Sequence, residues 1–163
     1  MTTSATTVID NFRGEYEALS NFARIPVAIY SSLEDREITY PTAEHAFNAA
    51  KSIDPVERAE ILAALTPREA KRRGRWAKLR PGWDAHIRYT AMRMVIETKF
   101  ETGTTAAAVL LSTGAAVLVE GNVWHDQHWG DCRCGGQECA TPGLNWLGRM
   151  LMAQRTVLRG EAL

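Results

Sequence analysis

The sequence has no excess of either charge, few cysteines and no long apolar run, and each lack excludes something. Nineteen basic residues balance nineteen acidic ones among 163, so no global field draws the chain onto nucleic acid or an anionic membrane, and any attraction for phosphate must be local. The longest apolar run, Ala106 to Leu111, falls far short of the roughly 20 residues that a membrane-spanning helix needs. The Thr-rich start, Thr2 to Thr7, has neither the basic region nor the apolar stretch of a secretory leader. A cytoplasmic chain with no membrane partner is therefore expected. The three cysteines, Cys132, Cys134 and Cys139, crowd into one short segment; an odd number so placed is a poor disulfide framework and fits a reducing compartment better. There is no internal repeat and no linker. The length suits one domain, expected over residues 8–163 behind a frayed, disordered start at 1–7.

From Val8 to Tyr40 short apolar runs alternate with breakers, as around Pro26, which predicts short strands and turns. Thr42 to Lys51 loses its breakers, and Ala46, Phe47, Ala49 and Ala50 predict a helix with one packed side. Two helix starts follow, Asp54-Pro55-Val56-Glu57 and Thr66-Pro67-Arg68-Glu69, each with a capping oxygen, Pro at the first helical position and Glu at the third. Gly74 is placed to close the second of them. Ala85, Tyr89, Met92, Ile96 and Phe100 step by four, three, four and four, which lays them on one face of a long helix ending before Gly103. A shorter helix at Thr105 to Ser112, a strand at Ala116 to Glu120, a glycine-rich loop and a last helix from about Leu144 to Val157 complete an α+β fold, mostly helical with a small β part.

Chemistry concentrates in four places. Glu44, Asn48 and Lys51 stand at i, i+4 and i+7, so a carboxylate, an amide and an amine share a helix stripe; a solvated stripe with an ordinary charge pair has the same spacing. Between Lys71 and Arg93, eight basic residues, Arg75 among them, meet one acid, Asp84, with Trp76 and Trp83 interleaved. That mixture suits a site that neutralises phosphate and stacks a base or sugar, or equally an exposed basic helix end beside core aromatics. Asn122 to Asp131 is a polar and aromatic loop after an apolar segment; Asp126 and Asp131 there can act as acid, base or cation stabiliser, and Asp131 beside a glycine is also an ordinary turn former. Finally, Gly143 or Asn145 opens a helix whose first N–H groups suit a phosphate, unless it is a plain capped core helix on Leu147, Met150 and Leu151.

Taken in order, Leu19-Ser-Asn-Phe22, Glu44-His-Ala-Phe-Asn-Ala-Ala-Lys51, Gly74-Arg75, Trp83, Lys99-Phe100, Leu118-Val-Glu120, Asp126-x-x-Trp-Gly130, Gly143-x-Asn-x-Leu-Gly148 and Leu151-Met152 through Arg155 resemble the NADAR (YbiA-like) family from about Phe12 to Arg155. The resemblance implies the YbiA-like fold and N-glycosidase activity, a hydrolase acting either on ADP-ribose linked to guanine in nucleic acid or on phosphoribosyl-aminopyrimidine intermediates of riboflavin synthesis. The first of these is the preferred expectation, so the partner is ADP-ribosylated nucleic acid or a ribosyl-phosphate metabolite. By position the resemblance puts the catalytic carboxylate on Glu44, the helix lysine on Lys51 and the loop acid on Asp126. It puts substrate-binding groups on Asn21, Phe22, Asn48, Arg75, Trp83, Lys99, Trp129, Gly130 and Asn145. A neutral Lys51 amine would attack C1′ if burial or a cation such as Lys99 lowered its pKa; otherwise a water activated by Glu44 or Asp126 would do so. An ADP-ribose-binding module without turnover and a zinc-stabilised nucleic-acid-binding protein are the other classes the residues admit.

One stretch departs from the family pattern, Cys132-Arg-Cys-Gly-Gly-Gln-Glu-Cys139. With His125 or His128 it supplies the four ligands of a structural Cys3His zinc site, although the spacing is not a common zinc-finger one and three unbound thiols are the alternative. No cofactor is expected to be needed for the glycosidic cleavage itself.

Overall fold

A computed structural model describes residues 7–161. In chain order these form β1 (Val8–Ile9), a 3-10 segment (Gly14–Leu19), β2 (Val27–Ser31), β3 (Arg36–Tyr40), α1 (Ala43–Ala49), α2 (Pro55–Leu62) and α3 (Pro67–Trp76). A turn of π-helix (Trp83–Ile87) then leads into α4 (Arg88–Lys99), followed by α5 (Thr105–Ser112), β4 (Val117–Leu118), β5 (Gly121–Asn122), β6 (Asp131–Cys132), a 3-10 turn (Gln137–Cys139) and α6 (Trp146–Leu158). The secondary structure is the expected mostly helical α+β, about 46% helical with small two-stranded sheets. The expected frayed start at 1–7 lies outside the described residues but for Thr7. Among the described residues no helix is long and apolar enough to cross a membrane.

The residues divide into two compact units, one formed by Asn21–Glu101, the other by the chain on either side of it. In the first unit β2 and β3 pair as an antiparallel hairpin with Val27 opposite Tyr40 and Ser31 opposite Arg36. Arg58 of α2, buried, ties that hairpin to α1: its Nε donates to Glu34 Oε1 (2.6 Å), and its Nη1 to the Ala49 carbonyl (3.0 Å). The guanidinium in turn holds the Glu34 carboxyl below its ordinary 4.5, chiefly through this hydrogen bond. Both predicted helix starts form. Asp54 accepts from the amides of Val56 and Glu57, and Thr66 from that of Glu69. Glu69 returns a bond by accepting from the Leu65 amide, close to a full capping box. Glu57 does not: its carboxylate accepts from the Lys78 amide and from Ser52, a tertiary use that overrides the local one.

Three expectations fail here, each for a packing reason. All seven residues of α1 are buried, so it has no solvated stripe. The long helix begins one turn wide: the π turn at Trp83–Ile87 shifts the register, leaving Ala85 exposed while Met92, Ile96 and Phe100 stay in the core. Gly74 does not end α3, which runs on to Trp76. Its missing side chain instead lets α3 lie against α1, because a Cβ there would sit far inside van der Waals contact with the Asn48 side chain. Gly74→Ala should therefore lower stability by about 1–3 kcal/mol, the usual cost of overpacking. It should appear as a lower urea midpoint at unchanged m-value.

In the second unit β1 runs parallel to β4, Val8 beside Val117 and Ile9 beside Leu118, and β5 runs parallel to β6. The strand expected over Ala116 to Glu120 is thus two residues long. Arg155, buried on α6, donates to Thr113 Oγ1 (2.6 Å) and to the Ala116 carbonyl (2.9 Å). These bonds satisfy backbone and hydroxyl groups at the end of α5, where water has no access.

Candidate functional site

Within Asn21–Glu101 the site is built on α1. Thr42 caps the helix by accepting from the His45 amide, and the Asn21 carbonyl accepts from the Glu44 amide (3.0 Å). Asn21 therefore fixes where Glu44 starts, while its own Nδ2 lies 3.5 Å from Met92 Sδ. Glu44 is buried, and Asn48 donates from Nδ2 both to the Glu44 carbonyl (2.9 Å) and to its Oε1 (3.0 Å). Asn48 is wholly buried, and its Oδ1 has no hydrogen-bond partner among the described residues. The expected stripe thus holds for Glu44 and Asn48. Lys51 lies two residues past the end of α1, in a turn pinned at both backbone groups: its N–H donates to the Asn48 carbonyl, and its carbonyl accepts from the Arg80 amide (2.7 Å).

The Lys51 side chain is half-buried, with Nζ 5.7 Å from the centre of the Phe47 ring. Burial is the main force holding its amine below the ordinary 10.5. The negative charge of Glu44 works against this, and the positive charges of Lys71 and Arg75 add to it. Those two residues stand one turn apart on α3, the helix that Gly74 allows close to α1. Lys99 is the cation that the sequence offered for this role. It ends α4, buried, with Nζ 5.2 Å from the Phe100 ring centre. Lys71, which in the sequence is only the first of the eight basic residues, also lies with Nζ 5.7 Å from the ring of Phe22.

The two interleaved tryptophans separate. Trp83 is buried and packs on Phe47, ring centres 5.4 Å apart, so it backs the wall next to Lys51. Trp76 is 86% exposed at the end of α3. The basic stretch also divides: Arg73 pairs with Glu69 (2.5 Å) and Arg88 with Asp84 (3.6 Å), while Arg72, Arg75 and Lys78 are exposed.

In the other unit the loop after β5 is a nest of side-chain-to-backbone bonds. Asn122, buried, accepts at Oδ1 from the amides of Trp124 and Asp126 and donates to the Asp126 carbonyl (2.8 Å). Asp126 in turn accepts at Oδ1 from the amides of His128 (3.1 Å) and Trp129 (2.8 Å). This aspartate is therefore a turn former as well as a candidate acid. Trp129 meets His128 edge-on, ring centres 5.0 Å apart. Gly130 is buried where a Cβ would collide with the Glu120 carbonyl, so its residue type is explained by backbone approach.

Asn145 has a left-handed backbone, φ 51°. Its side chain accepts from the Glu120 amide (3.0 Å) and donates to the Leu118 carbonyl (2.8 Å), clipping β4 to the loop that follows. The amides of Leu144, Asn145, Trp146 and Leu147 donate to the carbonyls of Gln127, Gly130, His128 and Trp129. Those amides are spent on the loop, so the start of α6 does not offer them to a phosphate. The three cysteines do meet, and with His125: one ligand atom from each of His125, Cys132, Cys134 and Cys139 falls within 4.8 Å of the others. His128, the other candidate, packs on Trp129 instead. Burial and the neighbouring thiols of Cys132 and Cys134 push Cys139 up to about 12. Burial also opposes ionisation of Cys132, but the amides of Cys134 and His125 and the adjacent thiols outweigh it and hold that thiol low.

Set beside known proteins, the chain matches the model of the NADAR domain over residues 10–159. It is 36% identical over 149 residues to the N-glycosidase YbiA of Escherichia coli K12, covering 90% of this chain and 84% of that one. It is 36% identical over 158 residues to the chloroplastic riboflavin biosynthesis protein PYRR of Zea mays, with 89% of this chain but only 24% of that protein covered. The riboflavin biosynthesis protein VVA0006 of Vibrio vulnificus is 31% identical over 165 residues, 90% of this chain and 42% of that one. The NMR structure of E. coli YbiA matches with a TM-score of 0.77 at 34% identity, over 96% of this chain and 88% of that one. The fold is thus of the YbiA type, and the activity class is that of N-glycosidases, hydrolases of N-glycosidic bonds. By these matches the chain belongs to the NADAR domain family.

Proposed function

We propose that the chain cleaves the bond between C1′ of a phosphorylated ribose and a base, with Lys51 as nucleophile and Glu44 stabilising the charge that develops on the ribose. The observation that carries this reading is the Lys51 amine, held below the ordinary lysine range by burial and by Lys71 and Arg75 while Glu44 stays close enough to oppose them. Only a neutral amine attacks carbon. As the Lys51 nitrogen bonds to C1′, the C1′–N bond to the base breaks, and the base departs with a proton. The ring oxygen then leaves C1′ and takes a proton, which leaves an imine on Lys51. Water adds to that imine and returns the sugar and the free amine. In the competing scheme Glu44 activates a water, and Lys51 only supplies charge.

Asn48 is a positioning residue in this proposal, since its amide fixes the Glu44 carboxylate. Arg75 is the phosphate-binding residue, exposed on α3 like Arg72, with exposed Lys78 two residues past the end of that helix. Arg75→Ala should raise KM about tenfold or more, the signature of a lost charge-assisted contact in binding, with kcat little changed on the alkaline plateau, where losing one of the charges that depress the Lys51 pKa no longer matters. Unchanged affinity in that variant would move the phosphate elsewhere.

For the substrate, the proposal is ADP-ribose linked to guanine in nucleic acid. Its support is the solvent-facing basic end of α3 with exposed Trp76, a surface of the charge and stacking type that suits a polymer. A second reading, a free phosphoribosyl-aminopyrimidine, is favoured by the names of the maize and Vibrio relatives. Incubating the protein with guanine-ADP-ribosylated DNA and with phosphoribosyl-aminopyrimidine in parallel separates the two by kcat/KM. Turnover of neither would leave a binding module without catalysis.

A further inference from the structure

We propose that His125, Cys132, Cys134 and Cys139 hold one structural zinc ion that braces the loop carrying Asp126. The chemistry of the donor set is the first ground. Three thiols and an imidazole are the ligands of closed, four-coordinate zinc sites, with Zn–S about 2.3 Å and Zn–N about 2.0–2.1 Å. A tetrahedron of those bond lengths has S···N edges of about 3.6 Å and S···S edges of about 3.8 Å. His125 Nδ1 lies 3.4 Å from Cys139 Sγ and 3.6 Å from Cys134 Sγ, and all four ligand atoms fall within 4.8 Å. That is the size of the first shell of a single ion. A two-iron cluster would draw the ligands into two separated pairs.

The backbone around the sulfurs is the second ground. The Gly136 amide donates to Cys134 Sγ at 3.3 Å. Such N–H···S bonds stabilise thiolates, the form that binds metal. His125 takes a left-handed backbone, φ 67°, which an imidazole-bearing residue adopts at a cost. A metal bond at its side chain would offset that cost. Cys132 is buried while His125 is exposed, so the cluster has a fixed floor and an open side for loading.

The consequence concerns Asp126. Besides contacts among the four ligands, the loop holding Asp126 meets the chain from Cys132 to Cys139 through the Cys132 amide donating to Gln127 Oε1 (2.8 Å) and a 3.5 Å ion pair between His125 and Glu138, both of the latter largely exposed. Three metal–sulfur bonds and one metal–nitrogen bond close that loop as a cross-link does, removing freedom from the open form. The ion is a brace; no step of the glycosidic reaction passes through it.

The test uses the full chain purified anaerobically without added metal. Metal analysis should find about one zinc per chain. Exchange for Co(II) should give thiolate-to-cobalt charge transfer and the intense visible bands of a tetrahedral site. Cys139→Ser should weaken zinc affinity by at least ~10²-fold in a competition with a chromophoric chelator. His125→Asn, which suits the left-handed backbone, should weaken it while leaving the fold intact. Chelation of the wild type should lower Tm by roughly 5 °C or more. A folded, metal-free protein whose three thiols all titrate freely and which shows no tetrahedral cobalt spectrum would overturn the proposal. So would a disulfide within the cluster in the anaerobic protein, or zinc held equally tightly by Cys139→Ser. None of these results depends on which glycosidic substrate is turned over.

Discussion

Lys51→Arg should lower kcat by at least ~10³-fold while the unfolding midpoint stays close to that of the wild type. Arginine keeps the positive charge but never offers a neutral nitrogen near pH 7, so the substitution separates charge from nucleophilicity. Borohydride added during turnover of the wild type should reduce the imine and leave the sugar fixed to Lys51, found by peptide mass spectrometry. The pH profile carries the same claim: activity needs the neutral amine, so kcat/KM should rise with pH through the Lys51 pKa, and the midpoint should lie below lysine's ordinary 10.5. Lys71→Ala removes one of the charges that depress that pKa and should move the limb upward. An active Lys51→Arg enzyme with no trapped adduct would defeat the imine route and give the water-activating role to Glu44.

Glu44→Gln is expected to cost about 10²–10³-fold in kcat, the usual loss when a preorganised group facing transition-state charge is neutralised. Glutamine keeps an oxygen to accept the Asn48 amide, so the local fold should survive. The variant also removes the negative charge that raises the Lys51 pKa. Two effects therefore oppose each other: more neutral amine at pH 7, and no carboxylate beside the forming cation. On the alkaline plateau the amine is neutral in both proteins, so only the second effect remains there. The readable outcome is a lower plateau with the alkaline limb shifted down. A full plateau in Glu44→Gln would remove the carboxylate from the transition state.

Much of this was legible in local chemistry. Asp54 and Thr66 announce their helices because a side-chain oxygen followed by Pro satisfies the free amides of a first turn, whatever lies around it. The Cys-x-Cys-x4-Cys segment, with a histidine nearby, foretold a cluster of ligand atoms because those donors lie within a short stretch of chain. Glu44 and Asn48 share a face by helical geometry alone.

What the chain's periodicity could not supply was the environment of each group. Gly74 reads as a helix stop from its neighbours in sequence, but it is a point of close approach, decided by Asn48 twenty-six residues earlier. Lys71 and Arg75 look like two of eight basic residues, and only the packing of α3 on α1 sets them against Lys51. Asn145 looks like a cap or a ligand; its amide is taken by Leu118 and Glu120. The sequence by itself determined which helices start where, which residue types are present and which of them sit close along the chain. The tertiary structure decided burial and charge neighbours, and these set the Lys51 pKa, because desolvation and Coulomb interactions depend on distances through space.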